Sequence, residues 1–372
     1  MRSTGIPLRL VITLGLLGAG IGLAQTPSDA QALDAQGRWD AAESVWRKLL
    51  ASSPEDSRLW TGLGITLSHE KKYDDAIAAY RKALLLHPND VETELNLGIA
   101  YFKAGKVPEA IAPLQAAAAQ LPGSDQVNIL LGMSLFGSGR YKEAIPYLEK
   151  AKAQDNPVLQ QVLAQSYLES GQYDKALSEF QRLLLRDPDA PAVHMLLGEA
   201  YDAENQSERA MAEYRAATAK GYTPDAHFGL GYLLWKDGRY AAASEEFQKE
   251  LSYDPKNSLA LAYLGDIALK QGDPAKAEPL LRRAIALKGD LRVAHFDLGV
   301  IAFDAKRYEQ AEKEFAVAVR LAPKDADAHY RLARLYQATG RPADAQRELA
   351  IVKELHQRTR EELLFKVSGP PH

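Results

Sequence analysis

The stretch Ser57–Pro88, SRLWTGLGITLSHEKKYDDAIAAYRKALLLHP, carries two apolar patterns in succession. Trp60, Leu63, Gly64 and Leu67 share one face at helical spacing; Tyr73, Ala76, Tyr80 and Ala83 share another, and Pro88 closes the stretch. Two amphipathic helices joined by a short turn are predicted, neither able to bury its apolar face alone. Moving 34 residues forward lands on Leu97, Gly98, Tyr101, Ala110, Leu114, Ala117 and Pro122, so small, large and proline positions recur in the same order. The chain is therefore expected to be a helical array.

Numbered from the position of Ser57, the eighth place of successive repeats holds Gly64, Gly98, Gly132, Gly198, Gly231, Gly265 and Gly299, with Ala30, Ala164 and Ala333 in the other three. The twentieth place is alanine throughout: Ala42, Ala76, Ala110, Ala144, Ala176, Ala210, Ala243, Ala277, Ala311 and Ala345. Small residues at both places let two helices approach to about 8–10 Å. This pattern resembles the tetratricopeptide repeat family, whose large–leucine–glycine–tyrosine, alanine, aromatic, alanine and proline positions recur over about 34 residues. The resemblance implies an all-α fold, a right-handed α-solenoid of about ten helix-turn-helix repeats spanning residues 25–355.

Residues 1–24 fall outside the array. Arg2 and Arg9 lead into an uncharged run, Leu10–Leu23, that ends in small residues, which predicts a secretory signal peptide cut after Ala24. The run falls short of the ~20 residues that span a bilayer, so no membrane span is expected after cleavage; an uncleaved amino-terminal anchor is the alternative. Removing these residues, which hold two arginines and no acid, takes the formal charge from −4 to −6. A mildly acidic chain with interspersed signs lacks the clustered basic face that nucleic acid requires. There are no cysteines, so neither disulfides nor a lipidated cysteine is available. A soluble, periplasmic or secreted protein is expected.

The first repeat, with Asp29 and Asp34 at places that are apolar elsewhere, reads as a polar-faced cap. Pro113, Pro146 and Pro279 fall early in second helices, where a slight bend is expected. The fourth and sixth repeats are short, and the turn sequences Asn156-Pro157 and Gly221–Pro224 are expected to absorb the loss. No linker or change of composition divides the array. Residues 356–372 are read as an extension of the last helix and a tail. Its apolar cluster Leu363–Val367 is expected either to fold back on the cap or to dock a partner, before Ser368–Pro371 ends the helix.

Candidate chemistry is sparse. His194, His227, His295 and His329 all hold the fourth place, where the second repeat has Trp60. Equivalent places lie a full repeat apart, whereas a zinc site needs ligand atoms within ~2.0–2.3 Å of one ion. These histidines are therefore read as aromatic-like fillers between paired helices, with their polar edges outward. No nucleophile–base pair, phosphate-cradling loop or HExxH pattern is found, and the glycines are accounted for by the repeat. No enzyme activity, cofactor or metal is expected.

The resemblance implies that places two, five, nine, twelve and thirteen of the first helices meet a ligand. Those places hold Leu95, Ile99 and Phe102, then Ile129, Met133 and Phe136, then the polar Gln161, Gln165, Glu169, Glu199 and Asp202. Phe228, Tyr232 and Trp235 follow, then Phe296, Val300 and Phe303, and lastly Tyr330 and Arg334. No repeat carries the lysine at place five with asparagine at place nine by which one subclass grips a terminal carboxylate; Asn96 and Arg331 are isolated. The expected function is a scaffold of the cell envelope or secreted space that binds a peptide or helix of another protein, centred on Phe228, Tyr232, Trp235, Phe296 and Phe303. Two alternatives stay open: a self-associating structural organiser, and aromatics that merely pack against the neighbouring repeat.

Overall fold

The computed structural model describes residues 26–152 and 156–368, with side chains up to position 358 and at position 360. The proposed signal segment lies outside the described residues, as does the end of the tail. Among the described residues every regular element is an α-helix, and the helices form ten pairs. They are α1 (Pro27–Ala35) with α2 (Trp39–Ser52), α3 (Ser57–His69) with α4 (Tyr73–Leu86), and α5 (Val91–Lys103) with α6 (Val107–Gln120). Next come α7 (Asp125–Gly137) with α8 (Tyr141–Lys150), α9 (Pro157–Glu169) with α10 (Tyr173–Arg186), and α11 (Pro191–Ala203) with α12 (Ser207–Thr218). The last four pairs are α13 (Ala226–Lys236) with α14 (Tyr240–Tyr253), α15 (Ser258–Lys270) with α16 (Pro274–Leu287), α17 (Arg292–Asp304) with α18 (Tyr308–Leu321), and α19 (Ala326–Ala338) with α20 (Pro342–Ser368). The fold is an α-solenoid. The described residues divide into two compact bodies, the first ending at Val162 and the second starting at Leu163.

One close contact recurs between the two helices of the glycine-bearing pairs. A Cβ added at Gly64, Gly98, Gly198 or Gly299 would come within 2.5 Å of Tyr80, Leu114, Tyr214 or Phe315, the residue sixteen positions on. Glycine at the eighth place thus leaves room for a large side chain from the second helix, and Tyr80, Leu114 and Phe315 are almost wholly buried there. The alanines of the twentieth place are also sealed, with at most 2% exposure. Tight core packing of this kind tolerates no added methyl without movement. The turn inside each repeat uses one left-handed residue, in order Gly37, Lys71, Gly105, Gly139, Gly171, Asn205, Gly238, Gly272, Lys306 and Gly340. Side-chain caps start several first helices: Asp56, Asp90, Ser124, Asn257 and Asp325 each accept a backbone N–H of the first turn.

Three expectations need correction. The short repeats lose length in their helices as well as their turns: α8 has 10 residues and α12 has 12, against 14 in α4, α6 and α10. Asp34 is not simply a polar surface residue, because it accepts Thr66 Oγ1–H at 2.8 Å and Trp46 Nε1–H at 3.2 Å and so ties the cap to the second repeat. The helix also does not turn back at Leu363–Val367. α20 continues to Ser368, since nothing before Gly369 breaks it. The helices run on through Pro113, Pro146 and Pro279.

Candidate partner-binding face

α13 presents Phe228, Tyr232 and Trp235 four and three residues apart, which stacks them on one helical face. The ring centroids of Phe228 and Tyr232 lie 6.3 Å apart, and those of Tyr232 and Trp235 5.9 Å. Burial fixes the start of this helix. Glu250 on α14 is fully buried and accepts the Phe228 N–H at 3.3 Å and the Tyr222 hydroxyl at 3.1 Å. Burial raises the Glu250 pKa, opposed by the Tyr222 hydrogen bond.

Tyr263 of α15 joins the row from the next repeat, a residue that the repeat pattern did not single out. Its ring lies 4.9 Å from Trp235 and 5.5 Å from Tyr232, both edge-to-face, and 5.7 Å from Phe247 in a stacked pair. Such pairs add about 0.5–1.5 kcal/mol each beyond area burial. Trp235 Nε1–H donates to Asp266 Oδ2 at 2.5 Å, and Asp266, only 3% exposed, also holds the Lys270 ammonium. Trp235 is therefore half-buried and bound into the following repeat, so packing against the neighbour is part of its role.

On α17, Phe296 meets Phe315 edge-to-face at 6.1 Å, and Val300 and Phe303 pack against the core formed with α19. Asp297 beside them is buried, its Oδ2 has no hydrogen-bond partner, and burial, with Asp266 adding to it, pushes its pKa up to about 8.

The ring-lined face is not an open apolar wall. Lys236 lies over Tyr232 at 5.6 Å, Lys270 over Trp235 at 5.4 Å, Arg292 over Phe296 at 5.5 Å and Arg334 over Phe303 at 5.8 Å. Asp202 pairs with Lys236, Asp266 with Lys270 and Asp325 with Arg292. Among the described residues Arg331 and Arg334 enter no ion pair, although the Arg331 charge acts on the Asp297 carboxyl and opposes the rise of its pKa. Tyr330 is 46% exposed.

The other predicted residues divide. Leu95, Ile99, Phe102, Ile129, Met133 and Phe136 are half-buried on α5 and α7 of the first body. Ile99 borders a cavity of about 310 Å³ with Ile65, Ser68, Tyr73 and Lys103, and Phe136 meets Tyr141 edge-to-face at 5.5 Å. Among the polar residues, Glu199 has its pKa pushed up to about 7 by burial first and by Glu169 second.

The fourth-place histidines depart from expectation. Their polar atoms point inward: the Nδ1 of each lies 2.6–2.7 Å from a glutamate nineteen residues on, namely Glu213, Glu246, Glu314 and Glu348. The recurrence of a glutamate at that offset was present in the sequence as a signal for this pairing. No group of three or more potential metal ligands occurs among the described residues.

Known proteins place this architecture. Two family profiles described as Tetratricopeptide repeat match, one at residues 67–133, 135–198, 170–230 and 302–363, the other at 29–91, 203–258, 228–292 and 263–326. The chain is 25% identical over 179 residues to anaphase-promoting complex subunit 3 of Schizosaccharomyces pombe, a match covering 47% of this chain and 27% of that protein. It is 29% identical over 129 residues to the TPR repeat-containing thioredoxin TTL4 of Arabidopsis thaliana, covering 35% of this chain and 18% of the relative. The chain thus spans about a quarter or less of the length of these relatives. Among solved structures, the APC/C hetero-tetramer Cut9–Hcn1 superposes with a TM-score of 0.51 at 17% identity, covering 90% of each chain, which is a likeness of fold. Matches of this kind in succession from residue 29 to residue 363 make the chain a member of the tetratricopeptide repeat family.

Proposed function

We propose that this protein is a binding scaffold whose working face is the ring-lined first-helix face of repeats seven to ten. Tetratricopeptide repeat proteins are in general protein-interaction scaffolds, and solenoids use such continuous faces for extended binding. The observation that carries the reading is the combination of rings and cations: Phe228, Tyr232, Trp235 and Tyr263 interlock across two repeats, while Arg331 and Arg334 bring charge that enters no ion pair among the described residues. Aromatic and arginine anchors dominate protein interfaces. A fitting partner is a segment of another protein that presents an apolar or aromatic side chain next to a carboxylate. We further propose that residues 1–24 are removed and that the mature chain, beginning at Gln25, works in the periplasm or outside the cell.

Capture from the native host with the mature chain as bait tests the face, run in parallel with the double variant Arg331→Glu/Arg334→Glu and with Phe303→Ser. A protein held by the wild type and released by the variants, with unchanged thermal unfolding of the charge-reversed chain, is the expected result. Equal retention by all three chains refutes the assignment. Intact-mass measurement on the protein from its host is expected to give a chain starting at Gln25.

A further inference from the structure

The histidines of repeats six, nine and ten each face two acceptors. His194 has Nδ1 at 2.6 Å from Glu213 Oε2 and Nε2 at 3.0 Å from the Pro188 carbonyl oxygen. His295 repeats this with Glu314 at 2.6 Å and Gly289 at 3.0 Å. His329 does so with Glu348 at 2.6 Å and Pro323 at 3.1 Å.

Other repeats reveal which way the second bond runs. At the same fourth place Trp60 donates its Nε1–H to the Pro54 carbonyl at 2.8 Å, and Asn128 donates its Nδ2–H to the Pro122 carbonyl at 3.2 Å. The acceptor is six residues back in every case. A carbonyl only accepts, so Nε2 of the three histidines must carry hydrogen there. A neutral ring would then turn its Nδ1 lone pair onto a carboxylate oxygen 2.6 Å away, two acceptors with no proton between them. With the glutamate ionised, only a ring protonated at both nitrogens supplies both bonds.

We propose that His295 is a proton-operated latch that ties the first helix, the second helix and the preceding inter-repeat loop of repeat nine together when the ring is cationic, and releases one of these ties when it is neutral; His194 and His329 repeat its contacts in repeats six and ten. The His295 pKa is raised, chiefly by the Glu314 hydrogen bond, with burial and Arg320 opposing and the Gly289 carbonyl assisting. The other charged groups around these histidines are Glu213 and the Asp189–Lys220 pair near His194, and Glu348 at His329. His227 repeats the carboxylate contact, with Glu246 at 2.7 Å, and its ring stacks on Tyr253 at 6.1 Å. A raised folded-state value means that the latch contributes fully below the ordinary value of 6.5 and is lost as pH rises through its own midpoint. Phe296 follows directly after His295 in the chain, so the latch borders the ring-lined face, but the titration of His295 stands whether or not a partner binds there.

The test is a nitrogen-15 and carbon-13 titration of the full chain labelled at histidine, with His295→Asn used to assign its signals. The expected result is a His295 ring protonated at both nitrogens at pH 7, with a midpoint above 6.5, and a fall in amide protection across that midpoint at Lys288 and His295, whose N–H groups bond the Ala284 and Leu291 carbonyls on either side of the loop. In Glu314→Gln the midpoint is expected to drop, and in His295→Asn the protection step is expected to vanish while the loop stays bonded, as Asn128 does. A neutral ring at pH 7, or a midpoint at or below 6.5 in the wild type, overturns the latch. The wild-type titration decides the matter even if a variant fails to fold.

Discussion

Exchanging Trp235 for phenylalanine and for alanine divides its work into a hydrogen bond and a ring. In Trp235→Phe the ring contacts with Tyr263 and Tyr232 are largely kept, but the 2.5 Å bond to Asp266 is lost. Asp266 is 3% exposed and is left with Lys270 alone, so the cost is that of a hydrogen bond to a charged group, about 1.5–3 kcal/mol. Trp235→Ala also removes the indole. Truncating a fully buried large aromatic costs about 3–5 kcal/mol; the indole here is half-buried, so about 2 kcal/mol is added, for roughly 4 kcal/mol in all. Far-UV circular dichroism during urea unfolding measures the total, and amide exchange should place the loss in α13 and α15. An alanine variant within 0.5 kcal/mol of wild type would refute the reasoning, for it would mean that the indole stands free in solvent. Any effect of these variants on binding therefore has to be referred to the folded fraction.

Further outcomes follow from single contacts. Gly98→Ala is expected to cost about 1–3 kcal/mol, because the new Cβ would lie 2.5 Å from Leu114 Cγ, and exchange protection should fall in α5 and α6 while α17 and α18 keep theirs. Lys306→Gly should raise stability by about 1 kcal/mol, since Lys306 holds φ 57 at the turn place where seven repeats have glycine; an unchanged or lower unfolding midpoint would contradict this. Asp297 binds a proton in the folded chain up to about pH 8, whereas the unfolded residue releases it near pH 4. Its contribution to stability thus falls as pH rises from 4 to 8, by at most about 1.4 kcal/mol per pH unit. Asp297→Asn should flatten that part of the pH profile and stabilise the chain at pH 8; an identical slope in both proteins would count against it.

The alternation of Gly64-type and Ala76-type places determined the fold from the sequence alone, because helix pairing inside a repeat depends on local size at fixed spacing, and spacing is written directly in the chain. The face bearing Phe228, Tyr232 and Trp235 was legible for the same reason. So was the histidine–glutamate offset, though the meaning of those histidines was not: their fourth place suggested a filler, and only the converging Nδ1 and Nε2 contacts exposed the pairing. Tertiary structure decided what no single repeat encodes. Tyr263 enters the aromatic row because its repeat stacks on the one before it, and Trp235 finds Asp266 across the same boundary. Asp297 loses its water because neighbouring helices close over it. Repeat periodicity specifies which residues face the neighbour, but whether two such residues meet, and whether water remains between them, depends on the distances that stacking sets.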